Sequence, residues 1–155
     1  MIYPNSKMFI PIYKKESGPQ PGPDYPTMPL TFKSTGDTTV KIDKANLSYK
    51  KNNGEWTAYT ANDEISLNDQ DTVSFSGTNT SIQKTFITTG NGTLDMYGNI
   101  DSLRNNNLTD LCFAGLFANC TNIKDASNLI IPSTGLVNGC YLGMFDGCNS
   151  LTSAP

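Results

Sequence analysis

The sequence contains no histidine. That removes Ser-His-Asp and Cys-His catalysis and the commonest metal ligand together. No apolar run approaches the ~20 residues a membrane-spanning helix requires, so membrane insertion is not expected. Positive charge is scarce as well: 11 Lys and Arg against 14 Asp and Glu leave a net charge of -3. That balance argues against nucleic acid or an anionic lipid surface as a partner. The four cysteines do not follow the CxxC spacing of zinc sites. Asp69 and Asp71 offer two carboxylates where calcium takes six or more oxygens, and they read as turn residues. No cofactor and no metal is expected. What remains is a chain of 155 residues, 37% hydrophobic and 16% charged, enough for one ordinary core or two small ones.

What the sequence does have is an internal repeat in its last third. Moving Cys112-Phe-Ala-Gly-Leu-Phe-Ala-Asn-Cys120 forward by 28 residues lays it on Cys140-Tyr-Leu-Gly-Met-Phe-Asp-Gly-Cys148. Phe113/Tyr141, Leu116/Met144 and Ile123/Leu151 match in kind. Apolar residues at fixed offsets with a period of 20 to 29 residues are the mark of a leucine-rich-repeat solenoid. Equivalent positions of a solenoid stack, which places Cys112 near Cys140 and Cys120 near Cys148 as small buried thiols, with disulfides as the alternative. Leu111 to Phe117 and Gly139 to Phe145 read as short helices. Ile123 to Ile131, broken at Asn128, reads as the strand portion. Its side chains pointing away from the core are where solenoids bind ligands, so Lys124, Asp125 and Ser127 are candidates, with Thr152 and Ser153 one period on.

The residues before the repeat divide into three stretches. Residues 1–13 carry Ile2, Tyr3, Met8, Phe9, Ile10, Ile12 and Tyr13 between prolines at 4 and 11. So short an extended apolar segment has no core of its own. It docks on its own downstream domain, is disordered, or anchors the chain to a partner protein. Residues 14–29 hold prolines at 19, 21, 23, 26 and 29 and form a semi-rigid spacer, with an SH3-type ligand as the other formal reading. From 30 to 100 the period becomes two, and turn signals recur about every 8–12 residues, as in a small Ig-like β-sandwich. Strands are expected at 30–34, 39–43, 47–51, 55–59, 64–67, 72–76, 82–88 and 93–97. Asn52-Asn53-Gly54 marks a hairpin. Trp56, Tyr49, Phe32, Phe75 and Phe86 are the expected core. Asn-x-Ser/Thr triplets begin at Asn46, Asn79, Asn91, Asn107 and Asn119, as an Asn- and Thr-rich sequence produces by chance. The fold class expected is therefore mainly β: an extended N-terminal segment, a proline-rich linker, a sandwich, and the start of a solenoid over 101–155.

Cys140-Tyr-Leu-Gly-Met-Phe-Asp-Gly-Cys148-Asn-Ser-Leu-Thr-Ser-Ala-Pro155 resembles the repeat of BspA-like leucine-rich-repeat proteins of gut Bacteroidales and their phages. Segments such as Leu47-Ser-Tyr-Lys-Lys-Asn-Asn-Gly-Glu-Trp56 and Val73-Ser-Phe75-Ser-Gly77 resemble the β domain that precedes such arrays. The resemblance covers residues 29–155. The first repeat departs from the pattern, with Leu116 for Met and Ala118-Asn119 for x-Gly, as a capping repeat would.

The resemblance implies attachment, since such proteins are surface adhesins and related arrays occur in phage fibres. The N-terminus places apolar residues before lysines, the reverse of a secretory signal. The expectation is a non-enzymatic virion protein on the particle surface. Its N-terminus would dock on a capsid, neck or tail protein, and its repeats would bind a host-surface glycan or protein. A homo-oligomer is left open, and further repeats are expected beyond Pro155. The alternative is a bacterial cell-surface adhesin whose signal lies upstream. A glycan hydrolase with paired carboxylates is a third class, for which no pair can be nominated.

Overall fold

The structure, a computed structural model, describes residues 24, 27–44, 46–105, 108–133 and 135–155. The chain is mainly β. Among the described residues nine strands follow in order: β1 (Thr31–Thr35), β2 (Thr38–Ile42), β3 (Leu47–Lys51), β4 (Thr57–Ala58), β5 (Glu64–Leu67), β6 (Thr72–Gly77), β7 (Phe86–Gly90), β8 (Thr93–Asn99) and β9 (Ile123–Ile130). They form a mixed six-stranded sheet, β4-β3-β6-β1-β8-β9, and a three-stranded antiparallel sheet, β5-β2-β7. Strict alternation drives this arrangement. In β2, Thr38, Val40 and Ile42 are buried while Thr39 and Lys41 are not, and β8 buries Leu94, Met96 and Gly98 in the same way.

The two sheets meet through phenylalanine. Phe32 of β1 and Phe75 of β6 lie on one sheet and Phe86 of β7 on the other; centroid separations are 6.0 Å for Phe32–Phe75, 5.4 Å for Phe32–Phe86 and 5.3 Å for Phe75–Phe86. All three are fully buried, and each such ring contributes roughly 1.5–3 kcal/mol by its removal from water. Four buried hydroxyls are satisfied in two pairs, Thr31 with Ser74 at 2.8 Å and Ser34 with Thr38 at 2.7 Å. Tyr59 closes one end: its hydroxyl accepts from the Ile42 amide at 2.9 Å and donates to the Asp63 carbonyl at 2.5 Å. The Asn52 turn is real, with positive φ at Asn52 and Gly54 N–H donating to the Lys51 carbonyl at 3.0 Å.

Trp56 is a correction. It is 44% exposed rather than core, because β4 is a two-residue strand at the sheet edge; Lys50 sits over its ring at 5.4 Å. Tyr49 is half-buried.

Beyond a 3-10 turn at Ile100–Leu103, capped by Asn99 Oδ1 accepting from the Asp101 amide at 2.9 Å, the backbone changes character. Residues 111–119 and 139–147 are not helices. They are two ribbons of overlapping β-turns, and the reason lies in their φ angles. Leu111, Gly115 and Asn119 in the first ribbon, and Gly139, Gly143 and Gly147 in the second, all have positive φ. A left-handed residue at every fourth position cannot continue a right-handed helix.

The hydrogen bonds then sort by parity. Amides of Ala114, Leu116, Ala118 and Cys120 bond back three residues within the ribbon. Those of Leu111, Phe113, Gly115, Phe117 and Asn119 donate to carbonyls of Asn138, Cys140, Leu142, Met144 and Asp146 in the next ribbon. On the other side, amides of Ile82 and Lys84 donate to Cys112 and Ala114, which is why strand β7 begins only at Phe86 rather than at Ile82.

Register between the ribbons is 28 residues throughout, and their rings stack: Phe113 on Tyr141 at 5.9 Å and Phe117 on Phe145 at 5.4 Å. The repeat does not stand apart from the sandwich. β9 pairs in parallel with β8 and so becomes the sixth strand of the large sheet. Phe117 packs on Phe32 at 6.0 Å and on Phe86 at 5.3 Å, within one continuous buried cluster.

Candidate attachment face

β9 carries the ligand-facing candidates. Its buried residues are Ile123, Ala126 and Leu129, a spacing of three rather than the two of a regular strand. The cause is two slips in its pairing with β8: Leu94 faces Ile123 but Asp95 faces Asp125, and Tyr97 then faces Asn128, so β9 carries one extra residue across each interval. Asn128 does not break the strand. Between buried positions, pairs of residues are therefore left outside the core: Lys124 with Asp125, and Ser127 with Asn128. Lys124, Ser127 and Asn128 are exposed and Asp125 is half-buried.

The structure brings the five candidates together. Asp125 bridges to Ser153, the Ala126 amide donates to the Ser153 carbonyl at 2.8 Å, and the Thr152 amide donates to the Lys124 carbonyl at 2.8 Å. These bonds cover the outer edge of β9 with the second repeat. They also leave two adjacent polar rows facing outward. Thr152 is exposed and Ser153 half-buried; the Thr152 hydroxyl donates to the Lys124 carbonyl at 3.1 Å and keeps its lone pairs for another donor. Asp125 Oδ1 accepts from the Ser127 amide at 2.8 Å. That bond, with the Ser127 hydroxyl and the nearby Lys124 charge, holds the Asp125 carboxyl below its ordinary pKa. The carboxylate is charged and its orientation is set.

None of the five residues lines any of four surface hollows of about 310–400 Å³ found elsewhere on the molecule. The face is open, suited to a broad surface rather than an enclosed small molecule. Asn128 belongs to it and was missed, because the sequence alone does not display the slip that turns it outward. The anchor candidates Ile2, Tyr3, Met8, Phe9, Ile10, Ile12 and Tyr13 lie outside the described residues, as does most of the linker.

Elsewhere, Asp71 is a turn carboxylate before β6. Asn52 Nδ2 donates to it at 2.8 Å, the Asn68 amide at 2.9 Å, and Lys51 pairs with it at 2.9 Å; together they hold its pKa well below the usual range. Asn79, one of the glycan-type asparagines, is buried and its side chain donates to the Leu103 carbonyl at 2.9 Å. Among the described residues, no three His, Cys, Asp or Glu side chains group as metal ligands, and no helix is long and apolar enough to cross a membrane.

No known protein family, curated protein or solved structure matches the chain.

Proposed function

We propose that the chain is a non-enzymatic structural protein of a phage virion, a fibre or decoration protein held by its N-terminus and displaying leucine-rich repeats for host-surface attachment. The observation that carries the reading is the outward polar face built from Lys124, Asp125 and Ser127 with Thr152 and Ser153, a full repeat apart in sequence and adjacent in space. A face that grows by one row per repeat is how solenoids bind extended ligands. The 28-residue stacking supports taking the two ribbons as rungs of such a solenoid, with the Ig-like sandwich as its stalk. The carboxylates with displaced pKa, Asp71 and Asp125, are both shifted down, whereas a catalytic acid at neutral pH needs its value raised.

In this reading residues 1–13 dock on a capsid, neck or tail protein, and the proline-rich stretch separates that joint from the folded body. Two experiments test it. Lys124→Glu combined with Thr152→Lys should leave the fold intact and abolish binding of the purified protein to host cells; unchanged binding would remove the face from the account. Deleting Met1–Tyr13 should leave a folded protein that no longer enters particles. Unfolding of that truncation would make the segment part of the body instead.

A bacterial cell-surface adhesin is the second reading. It is favoured by the closeness of Cys112 and Cys140, whose sulfurs lie 2.8 Å apart, since an exported protein meets oxidising conditions. An export signal encoded upstream of Met1 would decide for it.

A further inference from the structure

The two cysteine pairs created by the repeat are not equivalent. Cys120 Sγ donates to the Phe86 carbonyl at 3.2 Å and Cys148 Sγ to the Phe117 carbonyl at 3.1 Å, so each thiol of that pair satisfies a buried acceptor. In the other pair the contact is sulfur to sulfur, 2.8 Å between Cys112 and Cys140. Even carbon atoms, which are smaller, reach their optimal separation only at ~3.5–4.0 Å, so two sulfurs at that distance are crowded unless they are bonded. The backbones are placed for a bond. Leu111 and Phe113, on either side of Cys112, donate to the carbonyls of Asn138 and Cys140, which sets the two ribbons at a sheet-like spacing of about 4.8 Å, inside the ~4.4–6.8 Å span of Cα atoms that a disulfide bridges.

We propose that Cys112 and Cys140 are a specific oxidation site, forming a disulfide that ties the first ribbon to the second outside a reducing cell interior, while Cys120 and Cys148 remain thiols. Oxidation of the second pair would remove the two S–H donors that the carbonyls of Phe86 and Phe117 accept from, leaving Phe117 with the Cys120 amide. Oxidation of the first relieves a crowded contact. The inference rests on the ribbon geometry and holds for either reading of the function.

The co-reactant is a disulfide, of low molecular weight or on an oxidoreductase. A Cys140 thiolate attacks one of its sulfurs and expels a thiol, leaving a mixed disulfide on Cys140. Cys112 then attacks the Cys140 sulfur and expels the second thiol. One S–S bond is broken and one formed, the two protein thiols are oxidised, and their protons leave on the two released thiols. Both cysteines are buried, Cys112 fully and Cys140 at 4% exposed, and burial together with Cys140 pushes the Cys112 thiol up to about 12. The reaction therefore belongs to folding, or to openings of the second ribbon, rather than to the closed native state.

The test is refolding of the whole chain in a reduced and oxidised glutathione buffer, followed by alkylation, thiol counting in denaturant and chymotryptic peptide mapping. Chymotrypsin cuts at Phe113, Phe117, Tyr141 and Phe145, and trypsin is added to cut at Lys124, between Cys120 and Cys140, so that all four cysteines fall in separate peptides. The fully reduced chain has four thiols. Two should remain after oxidation, with Cys112 linked to Cys140 and with Cys120 and Cys148 alkylated. The urea midpoint should rise on oxidation and fall back with reductant. The double variant Cys120→Ala/Cys148→Ala should still lose both of its thiols. Four thiols in a refolded protein with native near-UV dichroism, a Cys120–Cys148 link, or a midpoint unchanged or lowered by oxidation would overturn the proposal.

Discussion

The chain satisfies its backbone in two different ways on the two sides of Arg104. Before it, strands exchange hydrogen bonds with neighbours through period-two ladders, and positive φ is confined to turns, strand ends and isolated loop residues such as Asn52, Asn62 and Gln70. After it, alternate amides of each ribbon turn back on the ribbon, those between them in the first ribbon reach to the second, and positive φ returns at every fourth residue. In the sandwich a residue is constrained mainly by which face it occupies. In the ribbons it is constrained also by handedness, so Gly, Asn and buried apolar residues are not interchangeable there even at similar burial. The difference between the two repeats then has a physical reading: Asn119 stands where the second repeat has Gly147, at a left-handed position, where Asn is the best tolerated of the side chains.

The strongest way to break the comparison is to cut the core that joins the two regions. Phe117 belongs to the first ribbon but sits against Phe32 and Phe86 of the sandwich and under Phe145. Phe117→Ala should cost about 3–5 kcal/mol, and both regions should melt in one transition by far-UV dichroism and Trp56 fluorescence. Two separated transitions would show that the regions are energetically independent.

A pair of glycine substitutions sharpens the handedness argument. Gly147 and Gly143 both have positive φ, but a Cβ on Gly147 collides with the Asn119 side chain, whereas one on Gly143 meets nothing closer than Asp146 Cβ at 3.7 Å. Gly143→Ala should therefore cost about 1–2 kcal/mol, the conformational penalty alone. Gly147→Ala adds overpacking and should reach about 2–4 kcal/mol. Equal effects in chemical denaturation would deny the contact; no effect at either would deny the left-handed backbone.

How much of this was legible beforehand depended on whether a pattern had one reading or two. β3 and β5 follow from plain alternation closed by Asn, Asp and Gly, and their observed bounds are Leu47–Lys51 and Glu64–Leu67. The alternation of Ile82, Lys84 and Phe86 reads as a continuous strand, but Ile82 and Lys84 pair with a ribbon and only Phe86 onward with β2. The helix reading of the ribbons failed for a related reason. Apolar residues at Cys112, Phe113, Leu116 and Phe117 repeat every four, and so does a helix face. Gly139, Gly143 and Gly147 at the same spacing were the signal against a helix. The grouping of Lys124 and Asp125 with Thr152 and Ser153 was legible through the 28-residue register, while the outward turn of Asn128 depends on a slip against β8 that no local pattern encodes.

The smallest expected effect lies wholly in the sandwich. Asp71 accepts from Asn52 and Asn68 and pairs with Lys51, and its pKa is lowered from an ordinary 3.8. A depressed carboxyl contributes stability above its unfolded value and loses it as pH falls through the folded one. Wild type should thus melt slightly higher than Asp71→Asn at neutral pH, and the gap should close as pH falls below 3.8. A gap that persists in acid would assign the effect to hydrogen bonding alone.

The proposal that this chain is carried on a virion is tested most directly by mass spectrometry of purified particles from a phage whose genome encodes it. The account predicts peptides from both the sandwich and the ribbons in washed, nuclease-treated particles, at a constant ratio to the capsid protein across preparations. Their absence from particles, with the same peptides recovered from the host cell envelope, would contradict it and leave the adhesin reading in its place.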